Sequence, residues 1–345
     1  MSDSILQEGG PHNIKRTGKD GFSMSLSLPT DDYGMVGRDC PSDTCEPGYF
    51  KVKPGTGLSN QEFSYCPYCC HKSDPNSFLT KEQHEYAKEI VTREFIKGID
   101  KMVSDTFDLD SSGKKTIDAG LFSLSISLET PIPPAVPRPL EQELRRNLTC
   151  PHCKLEHSVY GLATWCPDCG RDIFLKHVEG EFAIIRIMAN DVDSRRERLG
   201  SRVAAKDIEN SLEDIVSTFE AVLRVTTRKG LLKQGKNQID IDNIMLSKVA
   251  TKYQNIRSGD TIFYNIFGFH LFESLSPEHI DWLSTTFEKR HPITHNLGVV
   301  DRKYLQRARS GELEGREIRI QVPEIFAAID LCLKSITTTY SRLLE

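Results

Sequence analysis

Eight of the ten cysteines in this 345-residue chain come as four close pairs: Cys40 with Cys45, Cys66 with Cys69, Cys150 with Cys153, and Cys166 with Cys169. A metal ion held by four thiolates needs its ligands at the corners of a tetrahedron. Each pair must therefore sit on a tight knuckle, and each spacer must fold back to bring two knuckles together. The first spacer, twenty residues between Cys45 and Cys66, contains Tyr49-Phe-Lys-Val-Lys-Pro-Gly-Thr-Gly57, an extended run closed by a turn. The second, twelve residues between Cys153 and Cys166, contains Ser158-Val-Tyr-Gly-Leu-Ala-Thr-Trp165, enough for a compact hairpin.

The second cluster repeats Cys-Pro-x-Cys, as Cys150-Pro-His-Cys153 and Cys166-Pro-Asp-Cys169, with Gly170 after the last cysteine. It resembles the knuckles of rubredoxin-like zinc ribbons. Two structural Zn2+ sites are expected, at Cys40, Cys45, Cys66 and Cys69 and at Cys150, Cys153, Cys166 and Cys169. Four thiolates leave no open position for a catalytic water. For the first cluster, Cys70 or His71 as fourth ligand and buried reduced cysteines remain alternatives. His152 and His157 read as solvated neighbours, Trp165 as packing, and Cys332 as part of an apolar helix face.

The start of the chain carries no apolar signal core, and no apolar run is long enough to span a bilayer, so a cytoplasmic protein without a membrane partner is expected. In that compartment clustered cysteines read as metal ligands rather than disulfides. The net charge of −5 excludes a global basic field, so contact with nucleic acid has to rely on a local patch.

Taken in order, residues 1–20 are polar and glycine-rich and read as a flexible tail. Residues 21–129 read as a strand, the first ribbon and a covering helix. Phe22-Ser-Met-Ser-Leu-Ser-Leu28 has strand alternation and a near copy at Leu121–Leu128, which suggests either two related strand-plus-ribbon units or two strands of one sheet. The helix starts at Thr80, where Gln83 completes a capping box, and carries Ala87, Val91, Phe95 and Ile99 at four-residue steps. Asp108–Gly113 looks like the start of a calcium loop, but Ala119 stands where that loop needs its last carboxylate, so it reads as a turn.

Residues 130–139 hold five prolines and form a stiff linker, and 140–180 form the second ribbon. A helical domain is expected over 195–342. In it Ala205, Ile208, Leu212, Ile215, Phe219 and Val222 make a narrow apolar seam that suits another helix of the chain or a second protomer. Gly230 and Gly235 are expected to end this helix and open a basic loop with Arg228, Lys229, Lys233 and Lys236. Further helices are read at about 241–254, around 262–272, from 277 to about 290, and after Pro323. The fold class is α+β, zinc ribbons with short strands followed by an all-α bundle.

Within that bundle, Phe287-Glu-Lys-Arg-His-Pro-Ile-Thr-His-Asn-Leu-Gly-Val-Val-Asp-Arg-Lys-Tyr-Leu305 gathers Arg290, His291, His295 and Asn296. Histidine moves protons at neutral pH, and arginine holds a phosphate through paired hydrogen bonds. Pro292 predicts a helix break between Arg290 and itself, which would let arginine and histidine face one cleft. The stretch resembles the motif of the HEPN superfamily (higher eukaryotes and prokaryotes nucleotide-binding): an arginine, then Asn, Asp or His, then a histidine four to six residues on. Arg146 to His152 and Arg171 to His177 share the spacing, but they lie on or beside cysteine knuckles, whereas Arg290 lies among long amphipathic helices.

The resemblance implies a helical homodimer that cleaves RNA without a catalytic metal, in a defence or toxin role, with Arg290 and His295 catalytic and His291 and Asn296 accessory. Arg302, Lys303, Arg307 and Arg309 form the nearest basic patch for an RNA backbone. The rival expectation is a non-catalytic adaptor whose ribbons bind a protein or nucleic acid. A thiol sensor at Cys69-Cys70-His71 is a third.

Overall fold

The computed structural model describes residues 6, 8–18, 21–110, 112–118, 123–128, 136–144, 146–308 and 311–344. The chain divides into two compact units, residues 1–161 with 165–172, and residues 162–164 with 173–345. The first is built on short antiparallel strands and the second on helices, so the class is α+β.

The first unit contains β1 (Lys15–Arg16), β2 (Phe22–Ser23), β3 (Val36–Asp39), β4 (Tyr49–Val52), β5 (Ser64–Tyr65), β6 (Lys72–Ser73), α1 (Lys81–Phe107), β7 (Lys114–Asp118), β8 (Ser123–Ser127), β9 (Arg146–Thr149) and β10 (Glu156–Val159). Its centre is one sheet in the order β3-β4-β10-β9, so both metal ribbons share a single sheet. Each ribbon supplies the strand before and the strand after its first knuckle, and the inner strands pair Lys51 with Ser158 at their middle. Val36, Phe50 and Val159 are buried here, and the buried Lys51 ammonium is matched by Asp31 at 2.7 Å.

Among the described residues, the two alternating hydroxyl-rich runs do not join this sheet or each other. Phe22–Ser23 pairs with Lys15–Arg16, and Ser123–Ser127 pairs with Lys114–Asp118. Part of the expected tail is therefore ordered, because Leu6 and Ile14 are buried apolar residues in an otherwise polar stretch. Asp110 closes the turn before β7 by accepting from the amides of Ser112 and Lys114. Leu121, Phe122 and residues 129–135 of the linker region lie outside the described residues.

Helix α1 starts on the capping box read from the sequence: the Thr80 hydroxyl accepts from the Gln83 amide, and the Gln83 side chain accepts from the Thr80 amide. Gln83 then anchors the helix by donating to the Gly37 carbonyl at 2.9 Å. The anchor is confined to that first turn. Phe95 and Ile99 remain 40% and 43% exposed, so among the described residues α1 does not cover the sheet along its apolar stripe.

The second unit comprises α2 (Phe174–Asn190), α3 (Val192–Leu199), α4 (Ser201–Lys233), α5 (Gln238–Ile244), α6 (Ile256–Phe267), α7 (Pro277–Glu288), α8 (Arg290–Asn296), α9 (Arg302–Ala308) and α10 (Val322–Leu344). Apart from residues 162–164, the helical unit runs from Ile173 instead of 195, and the cysteine-rich unit ends at Asp172 instead of 180. Phe174, Val178, Phe182 and Ile185 put a buried stripe on α2 that belongs to the helical core. The seam of α4 is covered within the chain by α2 and α10, with Ile208, Leu212, Ile215, Phe219 and Val222 all buried.

Gly230 does not end α4. The helix runs to Lys233 and turns at Gly235, whose φ of 78° is the left-handed conformation that glycine accepts. Arg228 and Lys229 thus stand on the helix, one paired with Asp242 and the other over the Tyr340 ring. Gly230 is a packing residue, since a Cβ there would lie 2.7 Å from the Phe267 ring. Alanine favours a helix over glycine by about 1 kcal/mol, but overpacking a core costs about 1–3 kcal/mol. Gly230→Ala should therefore lower the stability of the helical unit by about 1 kcal/mol or more, read as an earlier midpoint in urea at unchanged helicity.

Candidate metal centres and the Arg290–His295 segment

In each ribbon a backbone turn of the form Cys-x-x-Cys closes on itself. The Cys70 and Gly170 amides donate to the Cys66 and Cys166 carbonyls, and the Cys66 and Cys166 amides donate to the His71 and Arg171 carbonyls. The two C-terminal knuckles are also tied to one another. Tyr65 N–H donates to the Pro167 carbonyl at 2.8 Å, and Trp165 N–H donates to the Pro67 carbonyl at 3.1 Å. With the strand order, this reciprocity gives the two ribbons an approximate two-fold relation. Tyr65-Cys-Pro-Tyr-Cys69 and Trp165-Cys-Pro-Asp-Cys169 occupy matching positions.

The four sulfurs of each cluster lie within 4.8 Å of one another. Measured pairs are Cys40–Cys69 at 3.6 Å, Cys45–Cys66 at 3.6 Å, Cys150–Cys169 at 3.8 Å and Cys153–Cys166 at 3.5 Å. A disulfide needs about 2.05 Å, whereas thiolates about 2.3 Å from a tetrahedral ion stand about 3.8 Å apart. The donor set and spacing fit a metal ion at both sites. Burial pushes the Cys45 thiol up to about 12 and the Cys153 thiol up to about 11, and a dication at the centre would reverse that preference. Cys70 and His71 stand outside both groups. Cys66→Ser and Cys166→Ser should each lower the bound metal from two ions per chain to one, as counted by elemental mass spectrometry.

In the helical unit, α7 ends at Glu288 and α8 begins at Arg290, with Lys289 in helical conformation between them. The break lies one residue before Arg290, not between Arg290 and Pro292. Pro292 is the third residue of α8, where its missing N–H would have had no helical partner. Positions five apart on such a helix point about 140° apart, whereas positions four apart are separated by about 40°. Within one chain Arg290 and His295 therefore leave α8 in different directions, and the pair that shares a face is His291 and His295, with ring centroids 5.0 Å apart.

Arg290 turns toward residues 250–254. Its guanidinium donates to Gln254 Oε1 at 2.8 Å, and Gln254 Nε2 donates to Glu220 Oε2 at 2.8 Å, which fixes which end of the amide faces the arginine. Three residues on one stripe of α4 hold that turn: Glu220 at Gln254, Arg224 at the Ala250 carbonyl (2.6 Å), and Thr227 at the Tyr253 hydroxyl (2.6 Å). Ala250 has a φ of 40°, a conformation an L-residue adopts at a cost. Gln254 is absent from the motif and lies 36 positions before Arg290, so no sequence signal joined the two.

The histidine face meets a different environment. His291 is lowered from its ordinary pKa first by burial and then by the nearby charges of Lys303, His295 and Arg307, with Asp301 opposing. It is therefore held as the neutral, proton-accepting form at pH 7. Asn296 is engaged in the turn that ends α8, where its Nδ2 donates to the Val299 carbonyl at 2.7 Å. Arg302 pairs with Glu314 at 3.1 Å, which leaves Lys303 and Arg307 as the cations of the expected patch near the histidines. Arg309 lies outside the described residues. The depressed His291 titration should move up toward the ordinary histidine value in Lys303→Gln, measured from imidazole carbon proton shifts against pH. No helix is long and apolar enough to cross a membrane among the described residues.

No family model, curated protein or solved structure matches this chain. Its chemistry is therefore read from its own side chains.

Proposed function

We propose that the helical unit is an endoribonuclease of HEPN type, acting on RNA through its 2′-hydroxyl. The observation that carries this reading is the His291–His295 pair on α8, with rings 5.0 Å apart and Lys303 and Arg307 beside it. Attack of a 2′-oxygen on the adjacent phosphorus requires a base to take the hydroxyl proton and an acid to protonate the leaving 5′-oxygen. His291, held neutral, is the base and His295 the acid. Lys303 and Arg307 balance the charge that grows on the phosphate. In this reading His291 takes part in proton transfer instead of standing as an accessory, and Asn296 shapes the loop that ends α8.

Arg290 donates to the neutral amide of Gln254 and not to a carboxylate. Within one protomer it holds α8 against the 250–254 turn. In a homodimer of the kind the HEPN resemblance implies, it is available to phosphate across the interface. Leu297 and Leu313, 82% and 68% exposed in the loops that follow α8 and α9, suit such a partner. The metal in both cysteine clusters is proposed to be zinc in a structural role, since all four ligand positions are taken by thiolate.

The test is incubation of total cellular RNA in EDTA-containing buffer with the wild type, Arg290→Ala, His291→Ala and His295→Ala, each checked for fold and metal content. Cleavage leaving 2′,3′-cyclic phosphate and 5′-hydroxyl ends, reduced about 10²- to 10⁴-fold in each histidine variant, is the expected result. Unimpaired cleavage by both histidine variants would overturn it.

A further inference from the structure

The approximate two-fold between the ribbons exposes one place where they differ. Position x of Cys-Pro-x-Cys is Tyr68 in the first ribbon and Asp168 in the second. The Tyr68 phenol fills its position, donating to the Tyr49 carbonyl at 2.8 Å and accepting from the Tyr160 amide at 2.8 Å. Asp168 only accepts, from the Leu58 amide at 3.0 Å and from the Gln61 side chain. Gly57, with a φ of 82°, lets the loop close that tightly, since a Cβ there would collide with the Asp168 carboxylate. Where the twin ribbon places a ring, the second ribbon has a short side chain beside a cleft of about 370 Å³.

The walls of this cleft have a defined chemistry. Phe63 and Tyr65 bring two aromatic rings, the Tyr65 ring resting against Gly170 and the Phe63 ring 38% exposed. The polar lining comprises the Asp168 carboxylate, Glu62 and the sulfurs of Cys153 and Cys169, all acceptors, together with the Gln61 amide. Arg171 and His152 also line the cleft, and the Lys72 ammonium stands 4.0 Å from the centroid of the Phe63 ring. The occupant this lining suits is flat, presents adjacent N–H donors to Asp168, and carries negative charge toward Arg171 and Lys72. A free phosphate fails the first two conditions, and a lysine or arginine side chain fails the third.

We propose that this cleft binds a guanine base of single-stranded nucleic acid. The base stacks on Phe63, its ring N–H and exocyclic amine donate to Asp168, and the phosphates on either side meet Arg171 and Lys72. Lys72 gives up only an exposed cation–π contact to do so, which is weaker than stacking of a whole base. The proposal concerns the metal-binding unit alone and does not rest on the nuclease reading, so either can fail without the other.

The experiment is fluorescence anisotropy of the full-length, metal-loaded protein with labelled ten-nucleotide oligomers of single composition. They are made both as 2′-O-methyl RNA, which resists 2′-oxygen chemistry, and as DNA, so that the two sources of the base are compared. Unlabelled GMP, AMP, CMP and UMP serve as competitors. Guanine-containing oligomers should bind roughly tenfold more tightly than the others, and Phe63→Ala should lose roughly tenfold across all sequences. Asp168→Asn, in which the amide oxygen can still take the Leu58 N–H, should abolish the guanine preference and leave residual binding. Arg171→Glu should weaken every oligomer and flatten the salt dependence. With metal content unchanged in each variant, absence of binding to any oligomer, equal binding by all variants, or a guanine preference retained in Asp168→Asn would overturn the proposal.

Discussion

The first unit is organised around two groups of four thiols, whose joint ionisation burial opposes and a bound cation would favour. Eight thiols in two groups of four, with sulfurs 3.5–3.8 Å apart, cannot all ionise in a half-buried setting without a positive charge at each centre. An ion at each centre would make the knuckles rigid enough to position the strands around them. Strands of two to five residues have too little apolar surface to hold a sheet together unaided. The reciprocal amide bonds between Tyr65 and Pro167 and between Trp165 and Pro67 contribute about 1 kcal/mol each. Their larger effect is on register, since they fix one ribbon on the other and align β4 with β10.

The gathering of the eight cysteines into two groups that could hold a metal ion was legible because four thiols at knuckle spacing leave few alternatives. The helix at Thr80 was legible for a similar reason, as its capping box is a local device that no distant contact had to complete. The sharing of one sheet by both ribbons was not legible, since β-pairing between residues 51 and 158 leaves no mark in either segment. The start of the helical unit was missed because Phe174 follows the last knuckle by only five residues, and the cysteine pattern drew the boundary outward. Gly230 misled for a physical reason as well: glycine marks a helix end by its backbone freedom, yet here it serves by lacking a side chain where Phe267 packs.

The segment around Arg290 shows how far a motif reaches. Spacing identified its residues but placed the break at the proline, which would have turned Arg290 and His295 the same way. With Pro292 accommodated in the first turn of α8, the helix geometry pairs His291 with His295 and sends Arg290 toward Gln254. The 250–254 turn that receives it is gripped by a polar stripe of α4. That stripe could not be separated from ordinary surface residues by sequence, because its partners are backbone atoms and a buried tyrosine.

The path of the chain between the units has its own consequence. Residues 162–164 belong to the helical unit, 165–172 to the metal-binding unit, and 173 onward to the helical unit again. The last knuckle is thus an excursion from the helical unit, which has already received the Ala163 amide on His177 Nδ1 at 2.9 Å and the Thr164 carbonyl on the Ile173 amide. No single cut in the backbone divides the two units cleanly. A break before Leu162 leaves the last cysteine pair with the helices, and a break after Asp172 takes from a buried histidine the N–H that it accepts. The covalent order of the chain obliges the two units to be inherited, expressed and lost together.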